Sequence, residues 1–198
     1  EAILKWSLPM VGKYKTNTII IEPLANIAVS SYRNNFSVIP NEDSGNTELT
    51  QNNLFLSDRF TGFDRNEDGQ RMTYGFKSSL FNDKVGQFNL GLGQSWHGKS
   101  KTQDVVIRGF NDNNKSNFVG ELGYKAPQIF SILYNFQLNE SNYRNDTNEV
   151  NTNLNYKRLS VGSNYIFIRK TVNNADVKKQ LDLSIGFRIT SKLLASIV

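Results

Sequence analysis

From Gln87 to His97, Phe88, Leu90, Leu92 and Trp96 alternate with Gln87, Asn89, Gly91, Gly93, Ser95 and His97. A period of two puts successive side chains on opposite faces of a β-strand. Just before this run, Met72, Tyr74, Phe76 and Leu80 alternate with Arg71, Thr73, Lys77 and Ser79, and Asn82-Asp83-Lys84 supplies a tight polar turn, so the two runs predict a hairpin. The pattern recurs. Phe118, Leu122 and Tyr124 lead through Pro127-Gln128 to Phe130, Ile132, Tyr134, Phe136 and Leu138. Val150, Leu154 and Tyr156 lead through Lys157-Arg158 to Leu159, Val161, Tyr165 and Phe167. Leu181, Leu183, Ile185, Phe187 and Ile189 make a further strand, and a partial one runs over 192–198. At the front, Ala2, Leu4, Trp6 and Leu8 predict one strand, and Ile19, Ile21, Ala25, Ile27 and Val29 a longer one. No helical period competes.

Connection lengths carry a second signal. The links at 82–85, 126–128, 157–158 and 190–192 are short, whereas those at 32–69, 98–116, 140–147 and 169–176 are long and rich in Asn and Asp. Outer-membrane barrels place short turns on the periplasmic side and longer loops outside, and a soluble sandwich has less reason to alternate in this way. The expected fold is all-β: an antiparallel, up-and-down transmembrane β-barrel segment of about ten strands, with 1–198 as a single segment. Trp6, Tyr32, Tyr74, Trp96, Tyr124, Tyr143, Tyr156 and Tyr165 tend toward strand ends, as rings at a headgroup boundary do, although strands favour such residues anyway.

Composition narrows the function classes. Mean hydropathy is -0.47 with 38% hydrophobic residues, and no apolar run approaches the ~20 residues of a spanning helix. A barrel strand averages to a hydrophilic score because it alternates. The net charge of +5 is spread over single Lys and Arg residues without a basic block, so solvated surface is the simpler reading and no nucleic acid is expected. The chain has no cysteine and one histidine, His97. Neither a thiolate site, a His cluster nor a Ser-His-Asp arrangement can be built from it. No metal, cofactor or catalysis is expected, and since the sequence opens at Glu1 without the features of a secretory signal, such a signal is expected to have been removed or to lie outside this piece.

If the sheet closes in lipid, its polar faces line a lumen. They carry Lys77, Glu121, Lys125, Glu149, Asp182 and Arg188, which implies a hydrated interior or one filled by a polar protein. Because Glu1 begins almost in mid-strand and the end at Ala195-Ser196-Ile197-Val198 lacks a terminal aromatic, an internal piece of a larger barrel is expected.

The 32–69 segment is too long for a plain turn, and such loops usually carry function or disorder. It holds Pro40-Asn41-Glu42-Asp43-Ser44, then Asn53-Leu54-Phe55, then Asp58-Arg59-Phe60-Thr61-Gly62-Phe63-Asp64-Arg65. With Ile21-Glu22-Pro23 before, and Tyr74-Gly75 and Gly93-Gln94-Ser95 after, these motifs fall in one order over residues 21–95. In that order they resemble the mid-barrel region of the lipopolysaccharide-assembly LptD family, also called OstA or Imp. The resemblance implies a large barrel in the outer membrane of a Gram-negative cell, with an LptE-like lipoprotein plug in its lumen. Such a barrel receives lipopolysaccharide from a periplasmic Lpt bridge, through a domain this chain does not contain, and inserts it in the outer leaflet. It also marks Pro40, Asn41, Glu42, Asp43, Ser44, Asn53, Leu54, Phe55, Asp58, Arg59, Gly62, Asp64 and Arg65 as the loop motif. On this reading the loop folds into or over the lumen through Arg59, Arg65, Glu42, Asp43 and Asp64. Past residue 96 only the hairpin pattern supports the resemblance. The rivals are another outer-membrane barrel, such as a porin or autotransporter translocator, and a soluble β-rich binding module.

Three further constellations weigh less. Asp64-Arg65-Asn66-Glu67-Asp68-Gly69 opens like a calcium loop, but its twelfth position is Gly75 rather than Glu; the simpler expectation is an acidic loop salt-bridged to Arg59, Arg65 and Arg71. Glu42 and Asp43 are adjacent in a polar loop, with nothing nearby to split their pKa values for acid–base work. Lys77, Lys125 and Arg188 are candidate contacts for lipopolysaccharide phosphates, against ordinary lumen solvation.

Overall fold

A computed structural model describes residues 1–30, 42–45, 47–60, 62, 67–98, 107–110, 114–169, 177–188 and 194–197, the last group by backbone. The period-two runs form β1 Ala2–Ser7, β2 Met10–Tyr14, β3 Asn17–Val29, β4 Thr47–Glu48, β5 Gln70–Asn82, β6 Gly86–His97, β7 Ile107–Arg108, β8 Phe118–Lys125, β9 Phe130–Leu138, β10 Asn145–Tyr156, β11 Leu159–Ile168, β12 Lys178–Arg188 and β13 Leu194–Ile197. Eleven of these make one sheet in the order β1-β3-β5-β6-β8-β9-β10-β11-β12-β13, with β2 also on β3. All its pairings are antiparallel between strands that follow one another, which is an up-and-down meander.

β1 and β2 are two halves of one edge strand. β1 pairs with Leu24–Val29 and β2 with Asn17–Ile21 of β3, and the register runs on across the break at Leu8-Pro9. Pro9 has no N–H to give the ladder, while the Leu8 N–H donates to the Pro23 carbonyl at 3.2 Å. With β1 and β2 sharing one position, the eleven strands make a sheet ten positions wide. β3 has 13 residues. At about 3.4 Å per residue and a tilt near 45°, it rises about 31 Å, enough for the ~25 Å apolar band of a barrel wall.

The register puts the alternating residues on two coherent faces. One carries Leu4, Ile21, Leu122, Leu154, Leu181 and Ile185, all exposed, with Leu4 at 67% and Leu181 at 60%. Among the described residues, the buried apolar side chains are only Ala28, Leu49, Leu54 and Val119. A soluble sandwich would cover its apolar face with a second sheet. Here the second sheet is the two-stranded β4-β7 pair, and its loop lies on the polar face. Apolar outside and polar inside is the pattern of a barrel wall. The sheet is not closed within this chain, since β1 and β13 do not pair.

Two local features differ from the sequence expectation. β10 reaches back to Asn145 across a bulge, so the link expected at 140–147 shrinks to a tight turn over 139–144, closed by Tyr143 N–H to Asn139 O at 2.9 Å and Asn139 N–H to Arg144 O at 2.8 Å. The all-polar Asn145-Asp146-Thr147 hid this extension because it has no apolar partner to alternate with. The short parallel pair β4 and β7 joins two loops that showed no strand pattern. Tyr74 and Trp96 lie toward the long-loop end and Tyr124 and Tyr156 toward the short-turn end, but Trp6 pairs with Ala25 and Tyr165 with Val150 in mid-strand. The expected link at 190–192, Ile189 and Tyr32 lie outside the described residues.

Candidate functional site

The polar face carries a stretch of its own chain. Residues 47–60, from the long loop between β3 and β5, lie against β5, β6, β8, β9 and β10. Local chemistry shapes the stretch first. The Thr50 N–H donates to Asn53 Oδ1 at 2.8 Å and the Asn53 N–H to Thr50 Oγ1 at 3.4 Å, a reciprocal cap. Asn53 Nδ2 also donates to the Glu48 carbonyl at 2.8 Å, and the Leu54 N–H to the Thr50 carbonyl at 2.9 Å. The single turn so formed points Leu54 at the wall. β4 is braced by β7 from the next loop, and the Leu49 N–H donates to the Arg108 carbonyl at 3.1 Å.

Three contacts hold this turn down. Leu49, Leu54 and Val119 form a buried apolar cluster, flanked by Phe55, Ile107 and Phe110. It sits over a track of glycines on the polar face: a Cβ on Gly93 would strike Leu54, and one on Gly91 would lie 2.7 Å from Gln51 Nε2. A side chain at Gly93 would push the anchoring Leu54 off the sheet, whereas one at Gly91 would displace the Gln51 amide. On the β3 side, Asn26 Nδ2 donates to the Phe55 carbonyl at 2.9 Å.

On the far side Glu48 reaches β9 and β10. Its Oε1 accepts from Gln137 Nε2 at 3.1 Å and Thr147 Oγ1 at 3.0 Å, while Gln137 Nε2 also donates to the Leu49 carbonyl at 3.0 Å. Burial holds the Glu48 carboxyl above its ordinary value, against the opposing pull of the Thr147 hydrogen bond and the Arg108 charge.

An ionic cluster closes the end of the stretch. Glu67 receives Arg59 on both oxygens, Nε at 2.8 Å to Oε2, and Arg71 Nη1 at 2.5 Å. His97 Nε2 lies 3.6 Å from Glu67 Oε1. Arg59 is 2% exposed, Glu67 5% and Arg71 6%. The Arg59 guanidinium stacks 5.3 Å over the Phe110 ring, and Arg71 donates to the Ser57 carbonyl. Asp58 caps the Phe60 N–H at 3.0 Å, and burial raises its pKa. Ser30 Oγ donates to the Glu67 carbonyl at 3.0 Å, tying the end of β3 to the start of β5.

Of the residues singled out in the sequence, Asn53, Leu54, Phe55, Asp58 and Arg59 are gathered on the polar face. Asp43 and Gly62 meet each other, since a Cβ on Gly62 would press on the Asp43 backbone. Glu42 and Asp43 are exposed and Ser44 is buried. Pro40, Asn41, Asp64 and Arg65 lie outside the described residues, as does Asn66 of the calcium-like run. The expected ion pairing of the acidic loop with Arg59 and Arg71 is present through Glu67. Lys77, Lys125 and Arg188 are exposed on or beside the polar face and form no cluster: β6 lies between Lys77 and Lys125, and Arg188 is on β12. Sequence reasoning missed Glu48, Gln51, Val119, Gln137 and Thr147. The glycines at 75, 91 and 93, all on one strand face, were the available signal that something docks there.

A meandering antiparallel sheet, apolar on one face and packed on the other by its own loop, is the pattern of a segment of an up-and-down β-barrel wall. The chain belongs to the LptD family: the model described as LPS transport system D matches residues 1–193, which extends the likeness well past residue 96. A relative described as LPS-assembly protein LptD, from Nitrosomonas europaea, is 26% identical over 168 residues, covering 83% of this chain and 22% of its own length. The chain thus spans about a fifth of that relative.

Proposed function

We propose that the chain forms part of the wall of an outer-membrane barrel that assembles lipopolysaccharide into the outer leaflet of a Gram-negative cell, and that its 32–69 loop lines the lumen. The observation that carries this reading is the docking of 47–60 on the polar face through the Leu49–Leu54–Val119 cluster, Glu48 and the Arg59–Glu67–Arg71 ions. A loop fixed inward narrows the lumen beside its wall and leaves the apolar face free for lipid. The LptD motif residues act as the docking element, with Asn53 capping the turn, Leu54 anchoring it and Arg59 binding Glu67. The work is transport and insertion, without covalent chemistry. An LptE-like lipoprotein plug shares the lumen, and the periplasmic Lpt bridge delivers lipopolysaccharide through a domain outside this chain. Lys125 and Arg188 meet passing phosphates singly rather than as one site, whereas Lys77 is offset by the neighbouring Glu22 and Glu121.

Excising 47–60 from the full-length protein tests the reading, with barrel assembly followed by heat-modifiable gel mobility. The expected result is an assembled barrel, reduced lipopolysaccharide at the cell surface and entry of large hydrophobic antibiotics. Unchanged surface lipopolysaccharide and antibiotic exclusion would overturn it.

A further inference from the structure

One docked side chain is not explained by docking. Gln51 is 5% exposed, and among the described residues neither its amide nitrogen nor its amide oxygen has a hydrogen-bonding partner. Leaving such a group buried without a partner destabilises the docked loop, and an apolar side chain over Gly91 would avoid that cost. Gln51 borders a cavity of about 140 Å³ between the turn and the wall, lined also by Asn52, Lys77, Ser79, Asn89 and Glu121. This is well beyond the ~10–15 Å³ that a single bridging water needs.

The lining selects among occupants. Apart from Leu90 and Gly91 the lining is polar, so an acyl chain is disfavoured. Lys77 is the single cation, with Glu121 in the lining and Glu22 as its cross-strand neighbour on β3. A phosphate would therefore meet two carboxylates for one ammonium. Asn89 Oδ1 is engaged by Ser79 Oγ at 2.9 Å and Gln87 Nε2 at 2.8 Å, which leaves its amide N–H groups as donors beside the free donor and acceptor of Gln51 and the acceptor Glu121. Groups that donate and accept from the same atom satisfy such a set, and sugar hydroxyls do so.

We propose that this cavity is a saccharide subsite, in which the amide of Gln51, with Asn89 and Glu121, binds hydroxyls of a neutral sugar ring of lipopolysaccharide on its way through the lumen. This rests on the lipopolysaccharide reading above and adds the part of the molecule recognised and the residues that recognise it.

The test places a photoreactive phenylalanine analogue at Asn52, on the cavity rim, or at Asn153, on the same sheet face away from the cavity, in the full-length protein in living cells. Cross-links are read with an antibody to lipopolysaccharide and by mass spectrometry. The expected result is a cross-link to lipopolysaccharide from position 52 that falls about fivefold on Gln51→Leu, the order of one neutral hydrogen bond, while assembly and the cross-link from position 153 are unchanged. Should Gln51→Leu fail to assemble, Glu121→Gln is expected to weaken the position-52 cross-link in the same direction. A cross-link from 153 but none from 52, one from 52 only to protein, or one from 52 indifferent to both variants would overturn the subsite and leave the transport reading intact. No lipopolysaccharide on either probe in an assembled barrel would overturn both.

Discussion

Glu67 is the carboxylate on which the buried charge of the loop depends, because Arg59 and Arg71 both reach it from positions with almost no solvent. Among the described residues, Glu67→Gln leaves the buried Arg59 without an ion-pair partner and Arg71 with only Glu1 at 3.8 Å, and removing one partner of a buried pair costs about 3–5 kcal/mol. The variant is expected to unfold at a lower urea concentration in detergent than the parent, and tryptophan fluorescence would show it. Glu48 makes a different prediction, about pH. Burial keeps its carboxyl above the ordinary 4.5, and that of Asp58 above 3.8. The docked loop therefore holds these protons more tightly than a free one. This contribution is fully present below the ordinary values and is lost as pH rises from them through the raised ones. A spin label on Asn52→Cys should become more mobile over that window, and Glu48→Gln should reduce the rise, leaving the part due to Asp58.

At the scale of elements, the tight turns carry strain that sequence pattern alone does not reveal. Lys157 sits at φ 53°, the left-handed region, in the two-residue link between Tyr156 and Leu159. Such links favour Asn or Gly there. Lys157→Gly is expected to leave stability unchanged or raise it slightly, and Lys157→Val to lower it by about 1–2 kcal/mol, measured as the shift in unfolding midpoint. The strands themselves were legible because Phe88, Leu90, Leu92 and Trp96 of β6, and Leu159, Val161, Tyr165 and Phe167 of β11, fall on the sheet's apolar face, and of the residues on the polar face that alternate with the β11 set only Ile166 is apolar. β4 and β7 were not, since two-residue strands have no period. The start of β10 was not, since Asn145-Asp146-Thr147 is polar throughout and shows no alternation. Within the site, Asn53-Leu54-Phe55 and Asp58-Arg59 were readable as motifs. Glu48, Gln137 and Thr147 were not, because they meet across 88 residues or more and no local spacing encodes that.

For the whole molecule, one arrangement is central: a ten-position sheet with an exposed apolar face, and the 47–60 turn folded against the opposite, polar face. The contact between Gln51 and Gly91 tests it directly. A Cβ built on Gly91 lies 3.0 Å from Gln51 Cγ, the place a cysteine sulfur at 51 would take, and a disulfide of about 2.05 Å leaves roughly 3 Å between one Cβ and the other sulfur. This chain has no cysteine of its own to interfere. Full-length protein carrying Gln51→Cys and Gly91→Cys, extracted from outer membranes after mild oxidation, should yield the 51–91 disulfide-linked peptide by mass spectrometry. Assembled protein in which both thiols are instead freely alkylated, with no linked peptide, would contradict the inward-folded loop and with it the lumen this account describes.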